Sequence, residues 1–389
     1  MDTIDDHLAR VLATVGPALP ARRHRTVDAA GLVLATDASA VLAVPPFANS
    51  AMDGFLVHDT TQAGDVLTVV ADVPAGSPPR SAAPGQAVRI MTGAPVPEDH
   101  RRQRVIPVEL TDIPPGPQPT PATVTIRDLP GDRTHIRDRG DNIPAGHPLL
   151  RAGQRLDAGR IAAAVAAGID TVLAHPAPRV RIIATGDELA PPGAPLGPGQ
   201  IPNSNLPMLA QLAADAGAAH VQTDHRPDDP TQFLEATSNA DLLITSGGIS
   251  AGAFDPVRAA LSDTCWFGEV AQRPGAPQGT GRYGATPVVC LPGNPVAAFV
   301  SFHLYAAPAI RALAGRDPRH QILHLRAEGE VRRRPHHTTI IPCIVNLSDG
   351  TARLGDGASH RVASLGGTTG LALIPPNHSD NTIPVIYTG

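Results

Sequence analysis

The chain contains no lysine; all 31 of its basic residues are arginine, set against 36 acidic ones for a net charge of −5. That balance leaves no strongly basic face and excludes nucleic acid as an expected partner. We read the missing lysine as a mutational bias and not as a functional signal. Aromatic residues are scarce at 3%, within a composition otherwise ordinary for a soluble protein. Only three cysteines occur, Cys265, Cys290 and Cys343, and their scattered positions form neither a metal motif nor a disulfide framework. A reduced, cytoplasmic setting follows. No uninterrupted apolar run looks long enough to span a bilayer: the Ala-rich stretch at 161–174 is short and carries Asp170. The start, MDTIDDHLAR, is acidic where a secretory leader would be basic.

Proline is abundant instead, with 42 residues, so many connections are stiff and extended. A length of 389 residues exceeds what one core supports and implies two to four domains. Thr3 and Asp6 are spaced as a capping box ahead of an amphipathic helix over Thr3–Val15. From about Val41 to Ile143 short β-like runs (VLTVVADV, AVRIM, VIPVEL, ATVTI) alternate with Pro/Gly clusters, the pattern of a small β-rich domain. Asp157 caps a further helix that stops at Gly168. Residues 177–315 then alternate strand and helix: VRIIA, a helix opened by Asn205, AHVQT, a helix opened by Asp229 and Pro230, then LLIT, CWFGEV and PVVCL. Such alternation predicts an open parallel α/β sheet. TTIIPCIV, LALIP and IPVIY predict a small terminal β domain. The expected fold is therefore α/β plus β, divided into 1–42 with 143–176, 43–142, 177–315 and 316–389.

Three segments leave strands through unusual turns: RIIATGDEL, LLITSGGISAG and VVCLPGNPV. In an open α/β sheet all three turns fall at the carboxyl edge, where ligands bind at the topological switch point. Ser246, Gly247, Gly248 and Ser250 bring backbone N–H groups and hydroxyls to one turn, a composition suited to an anion. Asn294-Pro295 and Asp255-Pro256 each also read as ordinary helix starts. Glu188 in TGDEL is the best candidate for a metal-holding or water-orienting carboxylate, although TGDEL also reads as a helix start. In the β-rich half, PPFANSAMDGF (45–55) and IMTGAPVP (90–97) carry Asp53-Gly54 and Thr92-Gly93, which are turn formers as well.

The ordered set PPFANSAMDGF, RIMTGAPVP, VIPVE, RGDNIPAG, IATGDEL, ITSGGISAGAFD, RPGAP and LPGNPVAAF resembles the molybdopterin molybdenumtransferases of molybdenum-cofactor biosynthesis, relatives of the gephyrin E domain. With GASH (357–360) and LALIPP, the resemblance runs over nearly the whole chain. It implies an elongated multidomain subunit with an inserted β-rich domain, a parallel-sheet molybdopterin-binding α/β domain and a C-terminal β domain. A homodimer whose sites draw on both subunits is implied too. The implied reaction takes adenylylated molybdopterin and molybdate, breaks the phosphoanhydride, places molybdenum on the dithiolene and releases AMP, with Mg²⁺ as cofactor. Matched by motif, the implied catalytic residues are Asp53, Thr92, Glu188 and Asp255. The implied cofactor-binding residues are Thr185, Gly186, Ser246, Gly247, Gly248, Ser250, Arg273, Pro292, Gly293, Asn294 and Ser359. Glu188 and Asp255 are the carboxylates offered to Mg²⁺.

The chain departs from the family at charged positions. PGKP is PGAP, which places Ala276 where a lysine is usual, and GED is Gly140-Asp141-Asn142, with an amide for a carboxylate. Ala253 stands where an acidic residue often follows the GGxSxG turn, and DHRRQR (99–104) replaces small and apolar residues. Two readings follow: a working transferase whose oxyanion site is served by Arg273, Arg282 or another arginine, or a molybdopterin-binding or scaffold paralogue without turnover.

Overall fold

A computed structural model describes residues 1–229, 239–250, 255–331, 333–355 and 361–389. Ser359, Ala253 and the helix expected after Asp229 fall outside the described residues, the last from residue 230 onward. The chain divides into two compact units, one formed by Met1–Arg22, Gly31–Ala35 and Leu173–Gly389, the other by Arg23–Ala30 and Thr36–Val172.

The larger unit is built on a six-stranded sheet in the spatial order His220–Arg226, Arg179–Thr185, Leu242–Ser246, Thr286–Leu291, Pro277–Tyr283 and Cys265–Glu269. The first four strands pair in parallel, and the last two pairings are antiparallel, so only Pro277–Tyr283 runs against the rest. Alternation along the strands feeds two cores. Val180, Ile182, Leu242, Ile244, Val289 and Leu291 face one cluster with the Ile4–Val15, Asn205–Asp215 and Pro295–Ser301 helices. Ile183, Leu243, Val288 and Cys290 face another with Val257 and Leu261 of the short Pro256–Leu261 helix. Both faces are covered, which is why these strands read as near-continuous apolar runs.

The sheet differs from the all-parallel expectation at one edge. Pro277–Tyr283 (PQGTGRY) reads as a loop because two glycines interrupt it, yet it pairs on both sides. A Cβ on Gly281 would strike the backbone of Thr264 and Cys265, and one on Gly279 would lie 2.6 Å from the Phe267 ring. Close neighbours, not weak propensity, account for glycine here.

Thr3 caps the first helix as expected: its Oγ1 accepts from Asp6 N–H at 3.1 Å, and Asp6 Oδ2 accepts from Thr3 N–H at 3.0 Å. The helical run Pro295–Leu313, of 19 residues, is long and apolar enough to cross a membrane by length and composition, contrary to the expectation that no run reaches that length. It is a core element here, 83% buried within the unit. After it, Thr338–Asn346, Thr351–Leu354, Ile322–Glu328, Thr382–Tyr387 and Gly370–Ile374 pair in succession. The last also pairs with the first, which closes a five-stranded barrel around Leu325, Ile341, Ile374 and Val385. Gln272–Arg273 adds to this barrel alongside Thr338–Asn346.

The smaller unit holds a mixed five-stranded sheet in the order Gln103–Pro107, Gly54–His58, Gln86–Ile90, Val66–Val73 and Thr123–Thr125. Period-two alternation sends Leu56, Val88 and Val105 into one core and Phe55, Val57, Ala87 and Ile106 into the other. Asp157 caps the Ala158–Ala166 helix through Arg160 N–H at 2.8 Å.

Candidate functional site

Thr185, Ser246 and Leu291 end three adjacent parallel strands, in a register that pairs Ala184 with Ser246 and Ser246 with Leu291. From Arg179–Thr185 the chain passes to a neighbour on one side and later returns on the other, so Thr185 and Ser246 flank the switch point. The three unusual turns therefore meet. They enclose a cavity of about 460 Å³ lined by Thr185, Gly186, Glu188, Ser246, Gly247, Gly248, Ser250, Asp255, Pro292, Gly293 and Asn294 together with 201–205 and Asp228.

The glycines serve the packing of these turns on one another. Gly247 has φ +96°; a Cβ there would sit 3.0 Å from Thr185 O, and one on Gly293 3.2 Å from Gly247 Cα. Gly247 N–H donates to Leu291 O at 3.1 Å, so this donor is spent inside the sheet edge. Gly248, at φ +63°, has Thr185 Oγ1, Val257 and Pro256 within 3.1 Å of where a Cβ would be. A side chain at either position would push the turns apart.

Asn205 binds two of the turns together: its Nδ2 donates to Ser246 Oγ at 2.8 Å and to Gly293 O at 2.7 Å. The helix opens at Asn205 as the sequence predicts, but the Asn205 side chain is committed to the two turns and not to the helix end, and Ser204 at the N-cap position makes no side-chain capping bond. Asn203 and Asn205 are the site residues that sequence reasoning missed. Their signal is the PNSN run (202–205), which looks like any helix start. Three buried polar atoms at this edge lack a hydrogen-bond partner: Thr185 Oγ1, Asn203 Nδ2 and Asn205 Oδ1. Buried polar atoms are ordinarily satisfied, and these three mark the place for a polar ligand.

TGDEL does not start a helix; Leu189–Ala190 pairs in parallel with Ile201–Pro202, which carries the Asn203 and Asn205 segment against the first turn. Asp255 precedes its helix without capping it and accepts from Ser250 Oγ at 3.2 Å. Asn294 does cap, accepting from Val296 and Ala297 N–H. Arg273 is exposed and is not among the residues lining the cavity, whereas Pro277 of the same loop is. Ala276 is fully buried. A buried polar network supports this loop: Gln272 and Gln278 each donate to Ser301 Oγ, at 3.3 and 2.7 Å, and Tyr305 donates to Gln272. Arg282 does not serve the cavity. Its guanidinium donates to Ala285 O and Thr14 O, both at 2.7 Å, and it pairs with Pro287 near the amino end of Thr286–Leu291.

In the smaller unit Asp53 and Thr92 form one constellation. Asp53 Oδ1 accepts from Thr92 N–H at 2.6 Å and from Thr92 Oγ1 at 2.7 Å. The Thr92 backbone donor, and then its hydroxyl, hold the Asp53 carboxyl below its ordinary value. Asn142, at the departure from GED, is exposed, with its N–H donating to Val44 O at 3.0 Å.

Among the residues lining the cavity are three carboxylates, Glu188, Asp228 and Asp255, and no lysine, arginine or histidine. Among the described residues no group of three or more His, Cys, Asp or Glu is arranged to hold a metal by itself. A divalent cation suits such a lining only when substrate oxygens complete its shell, which is how Mg²⁺ is commonly bound.

An open α/β sheet with a polar cavity at its switch point, in one chain with a β-rich unit and a closed β barrel, defines a multidomain ligand-binding protein. Residues 3–168 match the MoeA N-terminal region (domain I and II), and residues 181–312 match the family described as a probable molybdopterin binding domain. Molybdopterin molybdenumtransferase 2 of Mycobacterium tuberculosis is 41% identical over 334 residues, covering 81% of this chain and 80% of the relative. The molybdopterin molybdenumtransferase of a Nostoc species is 34% identical over 368 residues, covering 89% and 83%. In fold, the molybdopterin biosynthesis MoeA protein of Pyrococcus horikosii matches with a TM-score of 0.78 over 100% of this chain and 99% of that one, at 24% identity. The chain belongs to the molybdopterin molybdenumtransferase family.

Proposed function

We propose that this protein inserts molybdenum into molybdopterin at the carboxyl-edge cavity, with adenylylated molybdopterin and molybdate as substrates. The observation that carries this reading is the convergence of the three turns on one cavity edged by unpartnered Thr185, Asn203 and Asn205 atoms. Thr185, Gly186, Ser246–Ser250 and Pro292–Asn294 bind the pterin phosphate through backbone donors, hydroxyls and amides. Gly247 contributes shape, since its N–H is already engaged. Glu188 and Asp255 are the residues that would hold Mg²⁺, which would supply positive charge against the phosphate groups and the departing AMP. Water splits the phosphoanhydride into molybdopterin phosphate and AMP, and the two dithiolene thiols displace one molybdate oxygen, which leaves with their protons as water while molybdenum stays on the two sulfurs. Asp53, kept ionised by Thr92, orients the group being transferred. Arg273, exposed and outside the cavity lining, and Ser359, outside the described residues, are the remaining candidates to meet molybdate.

The working enzyme in this reading is a cytoplasmic homodimer. Asp53 and Thr92 of one subunit serve the cavity of the other. The domain organisation is four-part: 1–42 with 143–176, 43–142, 177–315 and 316–389.

The test is a single-turnover assay with adenylylated molybdopterin and molybdate. Wild type releases AMP only when molybdate is present, and Glu188→Gln lowers that release at least about tenfold while molybdopterin binding persists. Wild-type protein that binds molybdopterin but never releases AMP would support the scaffold reading in its place.

A further inference from the structure

The turn that carries Glu188 is fastened from several sides. Leu189 N–H donates to Gly186 O at 3.1 Å, which closes a β-turn with Asp187 and Glu188 at its corners. Past the corners, Ile201 N–H donates to Glu188 O at 2.8 Å. Ahead of them, the edge strand His220–Arg226 lies in parallel beside Arg179–Thr185, with His225 opposite Ala184. Beyond that strand, Asp228 N–H donates to Asp187 Oδ1 at 3.2 Å and Asp187 N–H to Asp228 Oδ2 at 3.4 Å, both long bonds. His225 makes the bond of ordinary length, its Nε2 donating to Gly186 O at 2.9 Å. A carbonyl oxygen only accepts, so this nitrogen carries the proton.

The Glu188 side chain has no comparable support. Among the described residues its carboxylate accepts no hydrogen bond. It folds back over Gly186, where a Cβ would strike both of its oxygens, so glycine is what leaves it that place on the cavity lining. The position of this carboxylate is therefore set by the backbone of residues 186–188 and not by partners of its own. Apart from the turn's own bond, His225 supplies the one hydrogen bond to the Gly186 peptide among the described residues.

We propose that His225 is a positioning residue for Glu188: its Nε2 fixes the Gly186 peptide and, through that peptide, the carboxylate on the cavity lining. The inference rests on the role proposed above for Glu188. A reacting or metal-holding group displaced by about one ångström loses up to roughly a hundredfold in rate, so the anchor of such a turn matters without touching substrate. His225 is exposed and belongs to the edge strand, so replacing it disturbs the turn and leaves the core intact.

The test is a double-mutant cycle in the full-length protein with two readouts. One is AMP release from adenylylated molybdopterin and molybdate; the other is Mn²⁺ binding to the molybdopterin-loaded protein, followed by electron paramagnetic resonance. His225→Ala should lower both by about ten- to a hundredfold, with molybdopterin affinity and the unfolding midpoint close to wild type. His225→Gln, whose amide donates in place of Nε2, should recover most of each. In a Glu188→Gln background, His225→Ala should add less than about twofold, because both changes remove the same placed carboxylate. Wild type that shows this coupling in Mn²⁺ binding but releases no AMP would overturn the transferase reading and leave His225 in its role. Equal losses from His225→Ala with and without Glu188, no recovery by His225→Gln, or no change in either readout would overturn the inference. A wild type that neither releases AMP nor binds Mn²⁺ would overturn both.

Discussion

The two cavities of the larger unit, one at the carboxyl edge of the sheet and one beside the Pro295–Leu313 run, are built differently. At the carboxyl edge the ionisable lining is entirely acidic, and the surrounding surface consists of glycine turns, hydroxyls and amides. The second cavity is of mixed charge, with Arg311, Arg319, His303 and His320 beside Asp215 and Asp317, and glycine is absent from its lining. A site built from backbone must bring chain segments together closely, which leaves glycines in series within the sequence. A site built from side chains needs only one residue from each of several elements. The first kind is therefore visible as motifs and the second is not.

Acid should have the largest effect, through three buried rings of which two line the second cavity and none the first. Burial holds His303 and His320 near about 4, against an ordinary 6.5, and does the same to His7, packed on Trp266 and Tyr305. The folded state keeps these rings neutral, while the unfolded chain protonates near 6.5. Their contribution is thus complete above about pH 6.5 and is lost as the pH falls toward 4, at up to roughly 3 kcal/mol for each ring. Urea midpoints should drop steeply between pH 7 and pH 4.5, and His303→Phe should flatten the slope. Equal midpoints at the two pH values would show that these rings are not held neutral.

Gly248→Val should have the next largest effect. At φ +63°, with three atoms within 3.1 Å of the new Cβ, it should cost about 1–3 kcal/mol in strain and reduce molybdopterin binding roughly a hundredfold. Wild-type molybdopterin affinity in this variant would show that the turn tolerates a side chain at this position.

Asn205→Ala is the mildest of the three. It removes the bonds to Ser246 and Gly293 and should lower stability by about 1–2 kcal/mol. Thermal unfolding and molybdopterin titration should move in the same direction. A variant with wild-type melting and wild-type affinity would show that the Asn205 link between the turns is dispensable.

By itself the sequence determined the elements and the reactive turns. β-branched runs such as RVRIIAT and LLITS must be strands with both faces covered, Thr3 with Asp6 must start a helix, and TGDE, SGGIS and PGN must be special turns. These are local facts, set by side-chain branching, capping geometry and the freedom of glycine. What surrounds the turns was decided only by tertiary structure. Asn205 looks like a cap until Ser246 and Gly293, 41 and 88 residues away, are brought to its amide. Arg282 looks like a compensating cation until the antiparallel edge fixes it near Pro287, where Thr14 and Ala285 take its donors. The Gly-rich strand Pro277–Tyr283 and the Arg311–His303 cavity leave no periodic trace, because each depends on which neighbours pack beside it. Long-range partners choose among the roles a polar residue can fill, and spacing along the chain does not encode that choice.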